Sequence, residues 1–417
     1  MKRIALVFVE RRYNRAGVAV LTGAVEQSAV ADAVEVTFAP FRGGAPELPA
    51  ADLVVAAFSF PSAAAPDAAR DLAAVRERAK GRDLVAVAGG PHPSGDVSGT
   101  LGLGFDLAIA GEGEEAFPDL LLRLAEDRPI DDVPGLARLE DGRVVANPPP
   151  RPVDLDRFPP FAPIHRRNAA FELSRGCAHA CRYCQVWSLF GPRLRHRGLD
   201  ALVSAAGRAR ANGMRDLRFV SPDAFAWGSA DGRTPDPARV EALLRAVSGI
   251  FGPAHVHFGS FPAEVRPESV TPEMVGLVRA YCSNDNVVFG LQSASPAMLR
   301  RIGRGHGIDE VFRAVEVVRA AGLRPIVDFI WGLPGETAAD RAANRSAMER
   351  LVAAGATVHS HAFMPLPGTP FAGERPGRVD ADTTAFLEAL AGRGRHIGGW
   401  KTHERRGAVG ARAKRGD

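Results

Sequence analysis

The chain has 417 residues, 46% of them apolar and 24% charged, a balance ordinary for a folded soluble protein and a length that points to two domains. Its formal net charge is +4, but the basic residues are scattered arginines with lysine only at positions 2, 80, 401 and 414, which argues against nucleic acid as a partner. No apolar run approaches the roughly 18 residues needed to cross a bilayer, and no leader pattern opens the chain, so a cytoplasmic protein with no membrane partner is expected.

In chain order, the first 126 residues alternate short apolar runs with helical stretches. Strands are expected at Ile4 to Val9, Val34 to Phe38, Leu53 to Phe58, Leu84 to Ala88 and Leu107 to Ala110, with helices at Val18 to Ala31 and Ala64 to Lys80. Five strands so spaced predict a doubly wound, Rossmann-like domain whose ligand would lie beyond the carboxyl ends of the strands. Those ends carry Ser59-Phe60-Pro61-Ser62, Gly89-Gly90-Pro91-His92-Pro93 and Gly111-Glu112-Gly113-Glu114. The glycines let backbone approach a ligand closely, and would serve equally as plain strand-to-helix turns. Residues 127–168 are rich in proline and read as a linker with a short hairpin around Asp141-Gly142.

The alternation resumes over residues 169–370. Strands are expected at Phe171 to Leu173, Asp216 to Val220, Val256 to Ser260, Val287 to Leu291, Ile326 to Trp331 and Thr357 to Phe363. Six strand-helix units in about 200 residues suggest an open, partial (β/α)6 barrel, because a complete eight-fold barrel takes about 250. Residues 371–417 form a C-terminal extension whose basic cluster, from Lys401 through Arg405 and Arg406 to Lys414 and Arg415, reads as a frayed tail.

The chemistry-bearing feature is Ser174-Arg175-Gly176-Cys177-Ala178-His179-Ala180-Cys181-Arg182-Tyr183-Cys184, directly after the first barrel strand. Four cysteines cannot form a disulfide framework in a chain of this length, and three of them crowd into this loop, which points to metal. Thiolates so close in sequence converge on one centre only if the backbone wraps around it, and Gly176, Ala178 and Ala180 permit this. Three thiolate ligands leave one iron of a cubane [4Fe-4S] cluster free. The competing reading is a structural zinc site completed by Cys282 or His179, although zinc sites more often pair two C-x-x-C knuckles and no second knuckle exists here. Cys282 otherwise reads as an isolated buried cysteine.

The cysteine spacing, the preceding strand and Tyr183 before the third cysteine resemble the signature of the radical S-adenosylmethionine (SAM) superfamily. The resemblance implies that Cys177, Cys181 and Cys184 hold the cluster and that SAM chelates the free iron through its methionine amino and carboxylate groups. One electron from an external flavodoxin- or ferredoxin-type donor then yields methionine and a 5′-deoxyadenosyl radical. Later segments resemble the superfamily's strand ends: Ser221-Pro222-Asp223, the stretch Ser260 to Glu268, Gly290-Leu291-Gln292 with Arg304-Gly305-His306, Asp328 to Thr337, and Pro365 to Pro370. They imply SAM contacts from Tyr183, Asp223, Glu264, Arg266 and Gln292. The plainer readings are a turn aspartate for Asp223 and a Glu264–Arg266 salt bridge.

The first domain resembles the cobalamin-binding domain of B12-binding radical SAM proteins, through Val87 to Pro93 and Gly111 to Phe117. The resemblance implies a corrin over the strand ends, contacted by Ser59, Gly89, Gly90, Pro91, Gly111 and Glu112. Methylcobalamin would then pass a methyl group to an unactivated centre. No histidine has an aspartate two positions before it, so the Asp-x-His-x-x-Gly axial-ligand motif is missing. A cobalamin-independent radical SAM enzyme (cyclase, rearrangement catalyst or methylthiotransferase relative) is the alternative. Methylthiotransferases normally carry a second cysteine triplet in the N-terminal domain, and no cysteine precedes Cys177. A non-enzymatic iron–sulfur or zinc scaffold is the remote alternative. The substrate, a small molecule or peptide, is not written in any transferable code.

Overall fold

The computed structural model describes the backbone of residues 1–40 and 47–413 and the side chains up to residue 407. The chain divides into two compact units, Met1–Ala169 and Ala170–Asp417.

The first unit is an α/β sheet of seven strands: β1 (Ile4–Glu10), β2 (Val34–Pro40), β3 (Leu53–Ser59), β4 (Leu84–Gly89), β5 (Leu107–Ile109), β6 (Leu136–Glu140) and β7 (Arg143–Ala146). Their order is β2-β1-β3-β4-β5-β6-β7, parallel through β5 and antiparallel beyond it. The first strands are continuous apolar runs because both faces are covered; all of Ile4–Val9 in β1 is buried. On one face Ile4, Leu6 and Phe8 pack against Val18, Val25, Phe117 and Leu121, and on the other Phe58 and Phe60 pack with Leu72, Val75 and Phe105. Strand order reverses between β1 and β3, and in sheets of this kind ligands bind at the carboxyl ends beside such a switch point.

The segment expected as a linker belongs to this unit. Its strands β6 and β7 extend the sheet from β5, with Ile109 opposite Leu136, and the turn is Asp141-Gly142 at φ 48° and 74°. Two left-handed residues at a two-residue loop match the twist of the flanking strands.

The second unit contains the strands β8 (Phe171–Glu172), β9 (Ser174–Arg175), β10 (Arg195–His196), β11 (Leu217–Val220), β12 (Val256–His257), β13 (Asn286–Gln292), β14 (Arg324–Trp331), β15 (Thr357–Ala362) and β16 (His396–Ile397). One parallel group runs β8-β11-β12 and another β13-β14-β15-β16, while β9 and β10 form a short antiparallel pair. Backbone bonds from Val288 N to Gly259 O (3.0 Å) and from Val265 N to Val288 O (2.9 Å) join the two groups. The six expected strands therefore occur in chain order with helices between them.

Two features of the C-terminal extension differ from expectation. His396 pairs with Val358, so β16 adds a strand to the parallel group. The basic segment is not frayed where it is described: Trp400–Ala413 is a helix, with Trp400 only 6% exposed. Lys414 and Arg415 lie outside the described residues. The composition hid the helix because the segment is basic and contains glycines.

Phe8 is 2% exposed and stacks 6.0 Å from Phe38 and 6.0 Å from Phe117. Phe8→Ala is expected to cost roughly 3–5 kcal/mol, read as an earlier denaturant midpoint for the first unit; an unchanged midpoint would show that this core is not the one described.

Candidate functional site

The cysteine loop leaves β8 through a buried ion cluster. Arg175 donates to both oxygens of Glu172, at 2.9 and 2.7 Å, and the Arg197 Nε–H donates to the Glu172 backbone carbonyl at 3.3 Å. Burial alone would raise the Glu172 carboxyl, but the charges of Arg175 and Arg197 hold it below the usual carboxylate range. The next residue, Gly176, sits at φ 87°, and a β-carbon there would run into the Arg193 carbonyl. Only glycine fits this turn.

Beyond it the loop is pinned at intervals. Cys177 N donates to Gly191 O at 3.2 Å, Arg182 N to Ile302 O at 2.9 Å, and Cys184 N back to Cys181 O at 3.0 Å. The Trp187 indole also donates to Cys181 O, at 2.7 Å. Cys181 is buried, and burial raises the thiols of Cys177 and Cys184, the latter to about 11.

The three sulfurs do not all lie within 4.8 Å of one another. Among the described residues, the one His/Cys/Asp/Glu trio whose ligand atoms all fall within 4.8 Å of one another is Asp328, His359 and His361, not the cysteines. Thiolates on one tetrahedral zinc, with bonds of about 2.3 Å, would sit roughly 4 Å apart. The wider spacing suits a polynuclear centre. Arg304 borders it, with Nη1 3.7 Å from Cys181 Sγ and 3.3 Å from the Tyr183 hydroxyl, and Nη2 donating to Gly290 O at 2.9 Å. Sequence reasoning recorded Arg304 only as part of a motif; its spacing after the helix Pro296–Arg301 was the available signal.

The other expected contact residues divide by environment. Gln292 ends β13 at φ 72° after a bulge from Gly290, and its Oε1 is buried without a hydrogen-bond partner. A left-handed glutamine with an orphaned acceptor is strain of the kind held at binding sites. Ser260 Oγ is a second buried atom without a partner. These two atoms fit a bound polar ligand such as SAM. Asp223 is occupied locally: it accepts from Phe225 N at 3.1 Å and from the Ser269 hydroxyl at 2.8 Å, and burial raises it to about 6. Arg266 pairs with Glu268 at 2.6 Å rather than with Glu264, and His306 Nδ1 lies 3.0 Å from the same carboxylate. Glu264 meets Asp328 instead; burial first, then the Asp328 charge, pushes its carboxyl up to about 8, so it is protonated at neutral pH. Cys282 follows the helix Pro272–Tyr281 and burial raises it to about 12.

In the first unit, Ser59 and Gly89-Gly90-Pro91 end adjacent strands. Gly90 is at φ 92°, where a β-carbon would lie 2.6 Å from Ser59 Oγ. His92 Nδ1 is 3.0 Å from Ser62 Oγ. Gly111 and Glu112 lie under the proline segment: a β-carbon on Gly111 would be 3.0 Å from Pro150 Cδ, and the Glu112 carboxylate accepts from Val153 N at 2.9 Å.

A three-cysteine loop at the head of a parallel strand-helix series defines a metal-cluster α/β enzyme. Residues 171–345 match the family model of the radical SAM superfamily, so this segment of the chain is a radical SAM domain. Among curated proteins it is 30% identical over 362 residues to a protein of unassigned function from Methanopyrus kandleri, covering 72% of this chain and 66% of that one. It is 30% identical to the tRNA-2-methylthio-N(6)-dimethylallyladenosine synthase of Pelobacter propionicus, over 52% of this chain and 47% of the relative. The chain thus spans about half the length of that relative. Among solved structures, the radical SAM methyltransferase TsrM from Kitasatospora setae, bound to cobalamin and a [4Fe-4S] cluster, aligns at TM-score 0.66 and 18% identity, over 90% of this chain and 75% of that one. The cobalamin-dependent SAM radical enzyme OxsB aligns at TM-score 0.62 and 15% identity, over 84% of this chain and 52% of its own. These two likenesses are of fold.

Gly176→Ala is expected to keep the far-ultraviolet spectrum of the protein while cutting sulfide and iron incorporation several-fold, since the strain of roughly 1–3 kcal/mol falls on the loop that carries Cys177. Full incorporation in that variant would contradict the assigned turn.

Proposed function

We propose that this chain is a cobalamin-dependent radical SAM enzyme that methylates an unactivated centre of a small molecule or peptide, with electrons from a flavodoxin- or ferredoxin-type donor. The observation that carries the radical half is the pinned three-cysteine loop at the head of the strand-helix series. Cys177, Cys181 and Cys184 would hold a [4Fe-4S] cluster, which when bound supplies the electron that cleaves SAM. Arg304 sets a positive charge beside Cys181 and would stabilise an anionic centre there. Tyr183 shares that guanidinium, and Gln292 Oε1 and Ser260 Oγ offer acceptors to SAM, while protonated Glu264 is hydrogen-bonded to Asp328. Arg266 is neutralised by Glu268, so its charge is already balanced before a ligand arrives. Asp223 would act by supporting the floor of the site through Ser269.

The cobalamin half is supported by the β2-β1-β3-β4-β5 order of the first unit, whose switch point lies beside β3, the strand that ends at Ser59. Cobalamin, when bound, supplies the methyl group. Ser59, Gly89, Gly90 and Pro91 form the proposed face for it, with small side chains that let a flat ring approach backbone. Gly111 and Glu112 would support that face by holding the proline segment. A cobalamin-independent methylthiotransferase is the second reading, favoured by the curated relative of that name. No cysteine before Cys177 is present to hold the second cluster that such chemistry uses.

Oxygen-free wild-type protein reduced with dithionite is expected to convert SAM to methionine and 5′-deoxyadenosine, and Cys181→Ala to fall to background. Retained cleavage in that variant overturns the radical assignment. Hydroxocobalamin added to the wild-type chain should stay with it through gel filtration with a protein-bound corrin spectrum. Complete separation of the two would overturn the cobalamin half and leave the cluster half standing.

A further inference from the structure

We infer that Asp328, His359 and His361 form a second metal site, separate from the cysteine loop, that takes one divalent first-row transition ion. The backbone brings them together. On the neighbouring parallel strands β14 and β15, Asp328 is in register with His359 and Ile330 with His361. Side chains alternate along a strand, so His359 and His361 share one side of β15, while Ser360, between them, points the other way and bonds the buried Trp331 indole. One ligand atom from each of Asp328, His359 and His361 lies within 4.8 Å of the others. His359 Nδ1 is 2.8 Å from Asp328 Oδ1. Two ligands on one ion, with bonds of about 2.1 Å, stand roughly 3 Å apart.

Charge and hydrogen bonding favour an ion over a simple relay. Asp328 is 3% exposed, and its carboxylate meets the Glu264 carboxyl and the His359 imidazole. A carboxylate so buried calls for a cation. An Asp328–His359 pair would meet part of that need, but it leaves His361 unexplained. Among the described residues His361 makes no hydrogen bond; it stands edge-on to His359 at 4.3 Å and stacks at 5.2 Å on His403, from the C-terminal helix. An imidazole whose ring nitrogens make no hydrogen bond has a lone pair to give. His403 Nδ1 is also buried without a partner, and could join as a further ligand. Two imidazoles and one carboxylate are the donor set of mononuclear iron and zinc sites.

The test uses the full-length untagged chain, loaded with its cluster without oxygen, incubated with Zn2+ and desalted before metal and sulfide are counted. About one zinc per chain should remain beyond the cluster. His361→Gln and Asp328→Asn should each lower the affinity for zinc at least tenfold, with sulfide content and melting temperature as in the wild type. Cys177→Ala should keep the zinc while losing the cluster. Wild-type protein that retains no zinc, His361→Gln that retains it as tightly, or Cys177→Ala that loses it would each overturn the inference. Should Asp328→Asn fail to fold, His361→Gln, at a residue with no hydrogen bond to lose, carries the test. Repeating the titration with Fe2+ distinguishes the two ions, and tighter binding of either one supports the site.

Discussion

The cysteine loop has to be held in a wrapped shape before any ion can organise it, and the buried pairing of Glu172 with Arg175 is what holds it. Burying a carboxylate costs several kcal/mol unless its partner is ideally placed, and a bidentate guanidinium is such a partner. The pair stands at the end of β8, one residue before Gly176, so it fixes the direction in which the loop departs. Arg197 ties the same point to the returning chain through the Glu172 carbonyl. From there Cys177 N bonds Gly191 O, Arg182 N bonds Ile302 O and Cys184 N closes back on Cys181 O, and the three sulfurs do not all fall within 4.8 Å of one another.

Much of this was legible in the amino acids. The strands of both units could be read because parallel strands covered on both faces are continuous apolar runs, and the helices between them carry period 3.6. The three cysteines were legible because their chemistry is compressed into eight positions. What escaped was everything set by long-range pairing. Glu264 gave no sign that it would meet Asp328, 64 positions away, instead of Arg266 two positions away. The proline segment looked like a linker because proline excludes regular structure locally, yet Leu136–Glu140 found the open edge of β5. The helix at Trp400–Ala413 was masked by its basic, glycine-containing composition, and only its placement shows that His403 has a histidine to stack on.

In the second unit Arg304 stands beside Cys181, while Asp328 on β14 meets Glu264 and the His359 imidazole of β15. Burial keeps the proton on Glu264 and off His361 at neutral pH, so each presents the form that binds a neighbour without adding net charge. The first unit differs in kind: its strand ends are small and nearly uncharged at Ser59, Gly89 and Gly90, suited to a broad ligand held by contact area.

The central claim is that three thiolates hold a four-iron cluster with one iron left for SAM. Electron paramagnetic resonance of the reduced, oxygen-free protein tests it most directly when combined with iron and sulfide counts. The expected result is about four irons and four sulfides per chain, with a cluster signal whose g-values shift when SAM is added. A protein holding a single zinc and no sulfide, or a cluster signal indifferent to SAM, would contradict it.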